Sequence, residues 1–132
     1  MSEPQTPGAQ QPGPSDVEGL VEHWAYVPDV AERLGVPLSR VRRYLADREL
    51  LAVRVGPHRA WAVPARFLGP HGPRPELKGT FTVLADGGMD DVEILRWLFT
   101  PDATLPVRGA PIDALVAGHK SEIRRRAQAA AF

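Results

Sequence analysis

The sequence predicts a mainly α-helical fold with one small β-hairpin, and three observations lead to this prediction. Apolar residues recur at helical spacing along most of the chain, whereas short β-prone stretches occur at residues 51–55 and 60–63. Residues 56–59 (GPHR) between them are typical of a hairpin turn. Two short helical segments joined at Gly35 come directly before this hairpin. Two helices, a tight turn and a β-wing in this order predict a winged helix-turn-helix, followed by a helical C-terminal domain.

The size and composition of the chain are those of a small globular protein. Its 132 residues allow one compact domain, or two very small ones that share a core. No apolar run approaches the ~18 residues that span a bilayer, and no secretory signal is visible. The absence of cysteine excludes disulfides and thiolate metal sites and fits a reducing compartment. We therefore expect a cytoplasmic protein with no membrane contact.

The net charge of zero hides an uneven distribution of charge along the chain. Residues 1–25 carry four acidic residues and no Lys or Arg, whereas residues 26–68 carry eight arginines against four acidic residues. Residues 69–132 carry eight of each sign. A basic segment inside a neutral protein indicates a local site for a polyanion. Arginine outnumbers lysine 14 to 2, a bias typical of GC-rich genomes, so charge alone does not establish such a site.

Composition also predicts how the chain is divided. The first 16 residues are rich in Pro, Gly and Gln and have almost no large apolar side chain, so they cannot offset the entropy of ordering. Val17, Leu20, Val21 and Trp24 recur at helical spacing and predict a short helix over residues 17–24. The predicted organisation is a disordered acidic tail (1–16), the winged helix-turn-helix (17–68), a linker (69–75) and the C-terminal helical domain (76–132).

The second helix of the motif is predicted from about Leu38 to about Arg48. Its buried face is defined by Leu38, Val41 and Leu45, which recur at helical spacing. The first helix is predicted from about Pro28 to Leu34, with Gly35 as a left-handed C-cap. In this arrangement the second helix is the recognition helix, and its outward side chains meet DNA. These outward residues are Ser39, Arg40, Arg42 and Arg43.

Each candidate DNA-contacting residue has an expected role. Ser39 and Arg40 lie in the first turn of the recognition helix, where an arginine can donate two hydrogen bonds to guanine. Arg43 and Tyr44 are better placed for phosphates or a groove wall, although Arg43 can instead pair with Asp47. Wing residues reach neighbouring phosphates or the minor groove, or else form a solvated hairpin. The wing candidates are Arg54, His58 and Arg59, and Trp61 is expected in the core.

The C-terminal part is predicted to be helical. One helix ends at residues 87–88 (GG), and the next begins at Asp90, which has the spacing of a capping box with Glu93. Further helices are predicted over residues 111–118 and 120–131. The last of them begins with basic residues, and Arg124, Arg125 and Arg126 form either a second phosphate contact or a solvated helix face.

Two family resemblances follow from these motifs. Residues 26–68 resemble the winged helix-turn-helix of the MerR and excisionase type, in which a segment like LSRVRRYL is the recognition helix. Residues 25–132 resemble a small actinobacterial family of DNA-binding proteins described as substrates of a membrane Ser/Thr protein kinase (kinase L). This resemblance implies a winged helix, a helical C-terminal domain and double-stranded DNA as the ligand. Its motifs are VAERLGVP (30–37), LLAVR (50–54), DGGMDDVEILRWLFTPD (86–102) and PIDAL (111–115).

The kinase resemblance makes the N-terminal tail a candidate regulatory segment. Thr6 is followed by Pro7 in this tail, and it is the phosphorylation site that we predict, with Ser2 and Ser15 as alternatives. A phosphate adds roughly −1.5 to −2 charges to a segment that is already acidic. We hypothesise that the tail competes with DNA for the basic domain and that phosphorylation weakens DNA binding.

Other function classes have weaker support in the sequence. LRWLFTP with PIDAL also resembles the toxin-binding domain of Xre-type antitoxins, so the alternative is an antitoxin-like or scaffold module that binds a protein. The chain has no P-loop and no GxSxG motif, and its four histidines lack metal-ligand spacing. The acidic residues at 90–93 are typical of a helix N-terminus. We therefore expect a transcriptional regulator or nucleoid-associated protein that is not an enzyme and needs no cofactor or metal, with its oligomeric state open.

Overall fold

The computed structural model describes residues 14–130, and within them it confirms the predicted fold class. Helices predominate, and the strands form one small antiparallel sheet. A winged helix-turn-helix comes first and a helical domain follows it. The elements are α1 (Pro14–Leu20), β1 (Trp24–Tyr26), α2 (Val27–Leu34), α3 (Leu38–Ala46), β2 (Val53–Val55), β3 (Ala60–Pro64), a 3-10 turn (Ala65–Phe67), α4 (Leu77–Asp86), α5 (Asp91–Phe99), α6 (Pro111–Val116) and α7 (Lys120–Ala129).

The helix-turn-helix is formed by α2 and α3 as the apolar spacing predicts. Gly35 closes α2 in the left-handed conformation, with φ of 68°, which only glycine adopts without a steric penalty. The backbone N–H groups of Gly35 and Val36 donate to carbonyl groups of the last turn of α2. In α3 the side chain of Val41 is fully buried, and Leu38 and Leu45 pack beside it. The turn therefore fixes which face of α3 points outward.

The wing is a hairpin of β2 and β3, and a strand that the sequence did not reveal extends it. β1 pairs with β3 in antiparallel register, with Ala25 opposite Val63, so the strand order is β1-β3-β2. The prediction that Trp24 belongs to a helix is wrong, because Trp24 is the first residue of β1. Pairing with a strand some 40 residues away overrides its local helical spacing.

Helix α1 begins earlier than the sequence predicts, at Pro14, and ends at Leu20. Residues 14–16 were predicted to be disordered, and that part of the tail prediction is wrong, because they form the first turn of α1. Proline suits a first helical turn, and Val17 anchors the helix by complete burial. Residues 1–13, including Thr6, lie outside the described part of the chain. Helix α1 packs against both β2 and α5 and so bridges the wing and the C-terminal domain.

The C-terminal domain is built from α4 to α7 and shares one core with the winged helix. Phe67 of the 3-10 turn packs against Phe81 of α4 and Phe99 of α5, with ring centres 5.3 and 5.8 Å away. The predicted capping box opens α5, since Asp90 Oδ1 accepts from the Glu93 N–H and Glu93 Oε1 accepts from the Asp90 N–H, both at 2.9 Å. None of the helices described here is both long and apolar enough to cross a membrane.

Candidate nucleic-acid interface

The outward face of α3 carries the side chains that the sequence predicts there. Ser39, Arg40, Arg42 and Arg43 are all exposed. Arg43 Nε lies 3.9 Å from Asp47 Oδ2, and both side chains are largely in solvent. An exposed ion pair at this distance contributes little free energy, so Arg43 can leave it to bind another anion. The helix therefore presents a row of cationic donors without disturbing its buried face.

Tyr44 differs from these residues because its ring is half-buried against the core. Its hydroxyl faces Gly72, where a Cβ would lie only 3.5 Å from the phenolic oxygen. Tyr44 thus connects α3 to the loop over residues 69–75. Packing explains the position of this side chain, and its role in DNA binding stays a prediction.

The wing holds two arginines against each other and against an aromatic ring. Arg54 Nη1 donates to the Arg59 carbonyl at 3.1 Å, and Arg59 Nη1 donates to the Arg54 carbonyl at 3.4 Å. The guanidinium carbon of Arg54 also lies 4.5 Å from the centre of the Trp61 ring. His58 is exposed in the turn between the strands. Both guanidinium groups are therefore already ordered at the protein surface.

The expectation that Trp61 belongs to the core is wrong. Its side chain is 49% exposed, whereas the next residue, Ala62, is fully buried. Alternation along β3 gives the inward position to the small alanine and places Trp61 opposite Arg54 on the outward face. Among the described residues, the large hydrophobic side chains that are exposed are Trp61 and Tyr26.

An open groove of about 730 Å³ lies between α3 and the wing, and we call it the arginine groove. Both exposed aromatic side chains line it, together with apolar residues at its base. Four arginines line it as well, but the sequence pointed to only three of them. The fourth, Arg48, was assigned to the end of the recognition helix and given no role. The arginines of the groove are Arg42, Arg48, Arg54 and Arg59.

Two acidic side chains reach this region from outside the helix-turn-helix. Glu18 of α1 accepts a hydrogen bond from the backbone N–H of Gly56 in the wing turn, at 3.1 Å. Asp91, the first residue of α5, lines the arginine groove and forms an ion pair with Arg48, with Oδ1 and Nη1 2.8 Å apart. The sequence did not predict either contact, since both join residues far apart in the chain.

Comparison with known proteins places this arrangement in a family. Residues 13–68 match the family model described as the wHTH domain of the DNA-binding protein Rv2175c, and residues 75–131 match the model of the Rv2175c C-terminal domain of unknown function. The chain belongs to the Rv2175c family. The predicted resemblance to a small DNA-binding protein family is thereby confirmed, and the kinase and MerR-type features stay predictions.

A curated relative and a solved structure extend the match over most of the chain. The DNA-binding protein Rv2175c of Mycobacterium tuberculosis is 43% identical over 119 residues, which cover 80% of this chain and 79% of the relative. The NMR structure of Rv2175c superposes with a TM-score of 0.75 at 39% identity, covering 84% of this chain and 82% of that one. The Rv2175c fold therefore includes both halves of the chain.

The C-terminal motifs of this Rv2175c-family chain serve mainly as its core. In LRWLFTP the side chains of Leu95, Leu98 and Phe99 are buried, and in PIDAL those of Ile112 and Leu115 are buried. The half-buried Trp97 borders a second open groove, of about 800 Å³, whose other lining residues include Met89, Leu105 and Arg126. Packing thus accounts for most of the apolar character that resembles a toxin-binding domain.

The basic start of α7 is occupied by contacts within the C-terminal domain. Arg125 pairs with Glu122, and Arg126 bonds Glu122, Asp102 and Thr104. Hydrogen bonds from Thr104 hold the pKa of Asp102 below its usual value, with a smaller effect of Arg126. The hydrogen bond from Arg126 lowers the pKa of Glu122. These contacts favour a structural role for Arg125 and Arg126 over a second phosphate site.

Metal coordination has no support in the described part of the chain. Over residues 14–130, no group of three or more His, Cys, Asp or Glu side chains is arranged to hold an ion. The acidic residues at the start of α5 cap that helix, as their spacing predicts.

Proposed function

We propose that this protein binds double-stranded DNA, with α3 in the major groove and the β2–β3 wing on the flanking backbone. The observation that carries this proposal is the arginine groove. Arg42 of the recognition helix and Arg54 and Arg59 of the wing line one open surface beside exposed aromatic rings. Duplex DNA carries a phosphate charge about every 1.7 Å, so it is the polyanion that an extended basic surface of this kind fits. The name of the relative, a DNA-binding protein, supports the same ligand.

The candidate residues divide into two groups. Ser39, Arg40 and Arg42 project from the first half of α3, where side chains of a recognition helix meet base edges, and they are proposed to supply specificity. The others lie later in α3 or on the wing and are proposed to contact phosphates, which sets affinity and register. This second group is Arg43, Tyr44, Arg54, His58 and Arg59.

The test measures binding to a fluorescently labelled duplex by fluorescence anisotropy at several salt concentrations. Replacing Arg43 and Arg54 by alanine and Arg59 by asparagine, which suits the positive φ at position 59, should flatten the slope of log K against log salt by about three units, since each phosphate contact contributes about 0.9. Arg108→Ala is the matched control, because Arg108 is an exposed arginine that lies in a C-terminal loop and lines a different pocket. A wild-type protein that no duplex retains, even at low salt, would overturn the proposal.

In the cell, we infer a role as a transcriptional regulator or a nucleoid-associated protein of the cytoplasm, without catalytic activity. Genome-wide mapping of bound DNA separates the two roles, since a regulator occupies discrete sites and a nucleoid-associated protein occupies broad regions. Paired sites about 34–36 Å apart would indicate a dimer that reads two half-sites.

We further propose that a Ser/Thr protein kinase modifies Thr6 and that the modified tail weakens DNA binding. The position of α1 supports this idea, because Glu18 already bonds the wing turn at Gly56. Seven residues lie between Thr6 and Pro14, and the eight Cα-to-Cα steps of an extended chain span up to about 28 Å. We propose that a phosphate on Thr6 competes with DNA for the wing arginines. After kinase treatment, the wild-type protein should bind DNA more weakly than the Thr6→Ala protein treated in the same way.

The alternative function is a protein-interaction module, and one observation favours it. The second groove, beside Trp97, is open and partly apolar, as a partner site would be. A partner that co-purifies in equal amount, together with no retention of the protein on DNA or heparin, would favour this alternative over DNA binding.

A further inference from the structure

The C-terminal domain, for which the family gives no function, borders the arginine groove directly. Asp91 at the start of α5 lies among the lining residues of the groove and pairs with Arg48. A neighbouring depression of about 570 Å³ brings Asp90 and Asp91 together with Arg54, Arg59 and Trp61 of the wing. An acidic helix end from one domain thus faces the cationic surface of the other.

The packing of the two halves keeps this acidic end in place. Helix α1 contacts both β2 and α5, and Phe67 joins the aromatic cluster of the C-terminal core. Arg66 Nη1 also pairs with Asp113 Oδ1 at 2.7 Å, on a different helix of that domain. These contacts hold the C-terminal domain, and with it Asp91, beside the arginine groove.

The backbone at Arg48 has a conformation that arginine rarely adopts. Among the described residues, the non-glycine residues with positive φ are Arg48, at 62°, and Arg59, at 53°. Glycine and asparagine occupy this left-handed region most easily, and a bulky side chain there is uncommon. Both exceptions are arginines and both line the arginine groove. At Arg48 this conformation closes α3 as a left-handed cap, since the Arg48 N–H donates to the Leu45 carbonyl and the Glu49 N–H to the Tyr44 carbonyl. An arginine at a position that glycine favours supports a function for the side chain.

We propose that Arg48 is a further phosphate-binding residue and that Asp91 of the C-terminal domain is the counter-ion it exchanges for a DNA phosphate. The side chains of Arg48 and Asp91 are 42% and 41% exposed, so their ion pair is weak enough for a phosphate to displace. The C-terminal domain then sets DNA affinity without a DNA contact of its own. This inference rests on the proposed function and assigns a regulatory role to that domain.

The exchange predicts a specific pattern in a double-mutant cycle on the full chain. Asp91→Asn removes the competitor of the phosphate, and it should raise the affinity for a labelled duplex about two- to fivefold at low salt, a gain that shrinks as salt screens the pair. Arg48→Asn should lower affinity and flatten the salt slope by about one unit. Asparagine suits the positive φ at position 48, so this variant keeps the backbone.

The double variant distinguishes exchange from general repulsion. In the Arg48→Asn background, Asp91→Asn should raise the affinity for the duplex no more than Asp86→Asn does. Asp86 is the matched control, because it is an exposed acidic residue of α4 that lines neither the arginine groove nor the neighbouring depression. Equal gains from Asp91→Asn in both backgrounds would overturn the proposal, because Asp91 would then act only as a nearby negative charge. An unchanged affinity and salt slope for a folded Arg48→Asn protein would overturn it too. If the wild type binds no duplex, the proposed function itself fails.

Discussion

Arg54 and Trp61 are direct partners across the β2–β3 hairpin, and the guanidinium carbon of Arg54 lies 4.5 Å from the centre of the indole ring. The stack explains why a large aromatic side chain is exposed on a small protein. The stack restrains the long side chain of Arg54 before DNA binds, so less rotamer freedom is lost on binding. We therefore expect Trp61 to act as a positioning residue for Arg54.

Replacing Trp61 should weaken DNA binding more than it weakens the fold. Trp61→Ala removes the stack and should cost about 0.5–1 kcal/mol of binding free energy on every duplex, whereas Trp61→Phe keeps part of it. Because the ring is half exposed, the free energy of unfolding should change little. Anisotropy titrations and thermal melts of the same preparations check this. Equal affinities for the wild type and Trp61→Ala would contradict the positioning role.

Substitutions on the helix and on the wing should have different consequences. Arg40→Ala should reduce discrimination between a preferred duplex and a scrambled one, by roughly 1–3 kcal/mol. Arg59→Asn should weaken both duplexes equally and flatten the salt slope by about one unit. Asparagine is chosen because Arg59 has a φ of 53°. Competition titrations measure both effects. A loss of discrimination in the Arg59 variant, with a uniform loss of affinity in the Arg40 variant, would contradict these assignments.

Deleting residues 1–13 tests the tail. The deletion stops before Pro14, where α1 begins, so the bridge between the wing and α5 is kept. If the tail competes with DNA, the truncated protein should bind a duplex more tightly at low salt, and the difference should shrink as salt rises. Titrations of both proteins at two salt concentrations measure this. Identical curves would show that the tail does not compete.

The capping box at α5 should contribute measurably to stability. Asp90→Ala removes the acceptor for the Glu93 N–H and should cost about 1 kcal/mol of unfolding free energy. Asp90→Ser is the matched control, because serine is also a good N-cap residue. Urea denaturation of the three proteins gives the comparison. A loss of equal size in both variants would mean that the charge at position 90 matters and the cap does not.

The network around Arg126 should make stability depend on pH in the acid range. The folded-state pKa values of Asp102 and Glu122 lie below their ordinary values of 3.8 and 4.5. The network therefore contributes stability above the ordinary pKa values, and this contribution is lost as the pH falls through the lowered ones. Arg126→Gln should lower the melting temperature at neutral pH and converge with the wild type in strong acid. Arg108→Gln serves as the control, and parallel curves for the Arg126 variant and the wild type would contradict this assignment.

Local patterns were sufficient to predict the helix-turn-helix. Gly35 has the left-handed cap conformation that its place in the sequence indicates, and Val41 lies at the centre of the buried face of α3. The capping box of Asp90 and Glu93 also formed as its spacing predicts. In each case the residues that decide the structure lie within a few positions of one another.

The features that were missed depend on contacts between distant parts of the chain. Trp24 has helical spacing with its neighbours, but its pairing with Pro64 makes it part of a strand. Trp61 was expected inside because of its size, although the register with Arg54 turns it outward. The ion pair of Arg48 and Asp91 joins two domains, and no pattern within either segment indicates it.

The aromatic cluster of Phe67, Phe81 and Phe99 has a consequence for how this protein unfolds. The family models divide the chain between residues 68 and 75, yet Phe67 packs on both partners beyond that division. Cutting the chain there would expose apolar surface on both fragments and remove from each of them part of the core that the described residues share. Heat should therefore melt the intact protein in one cooperative transition, and neither fragment should retain the stability of the whole.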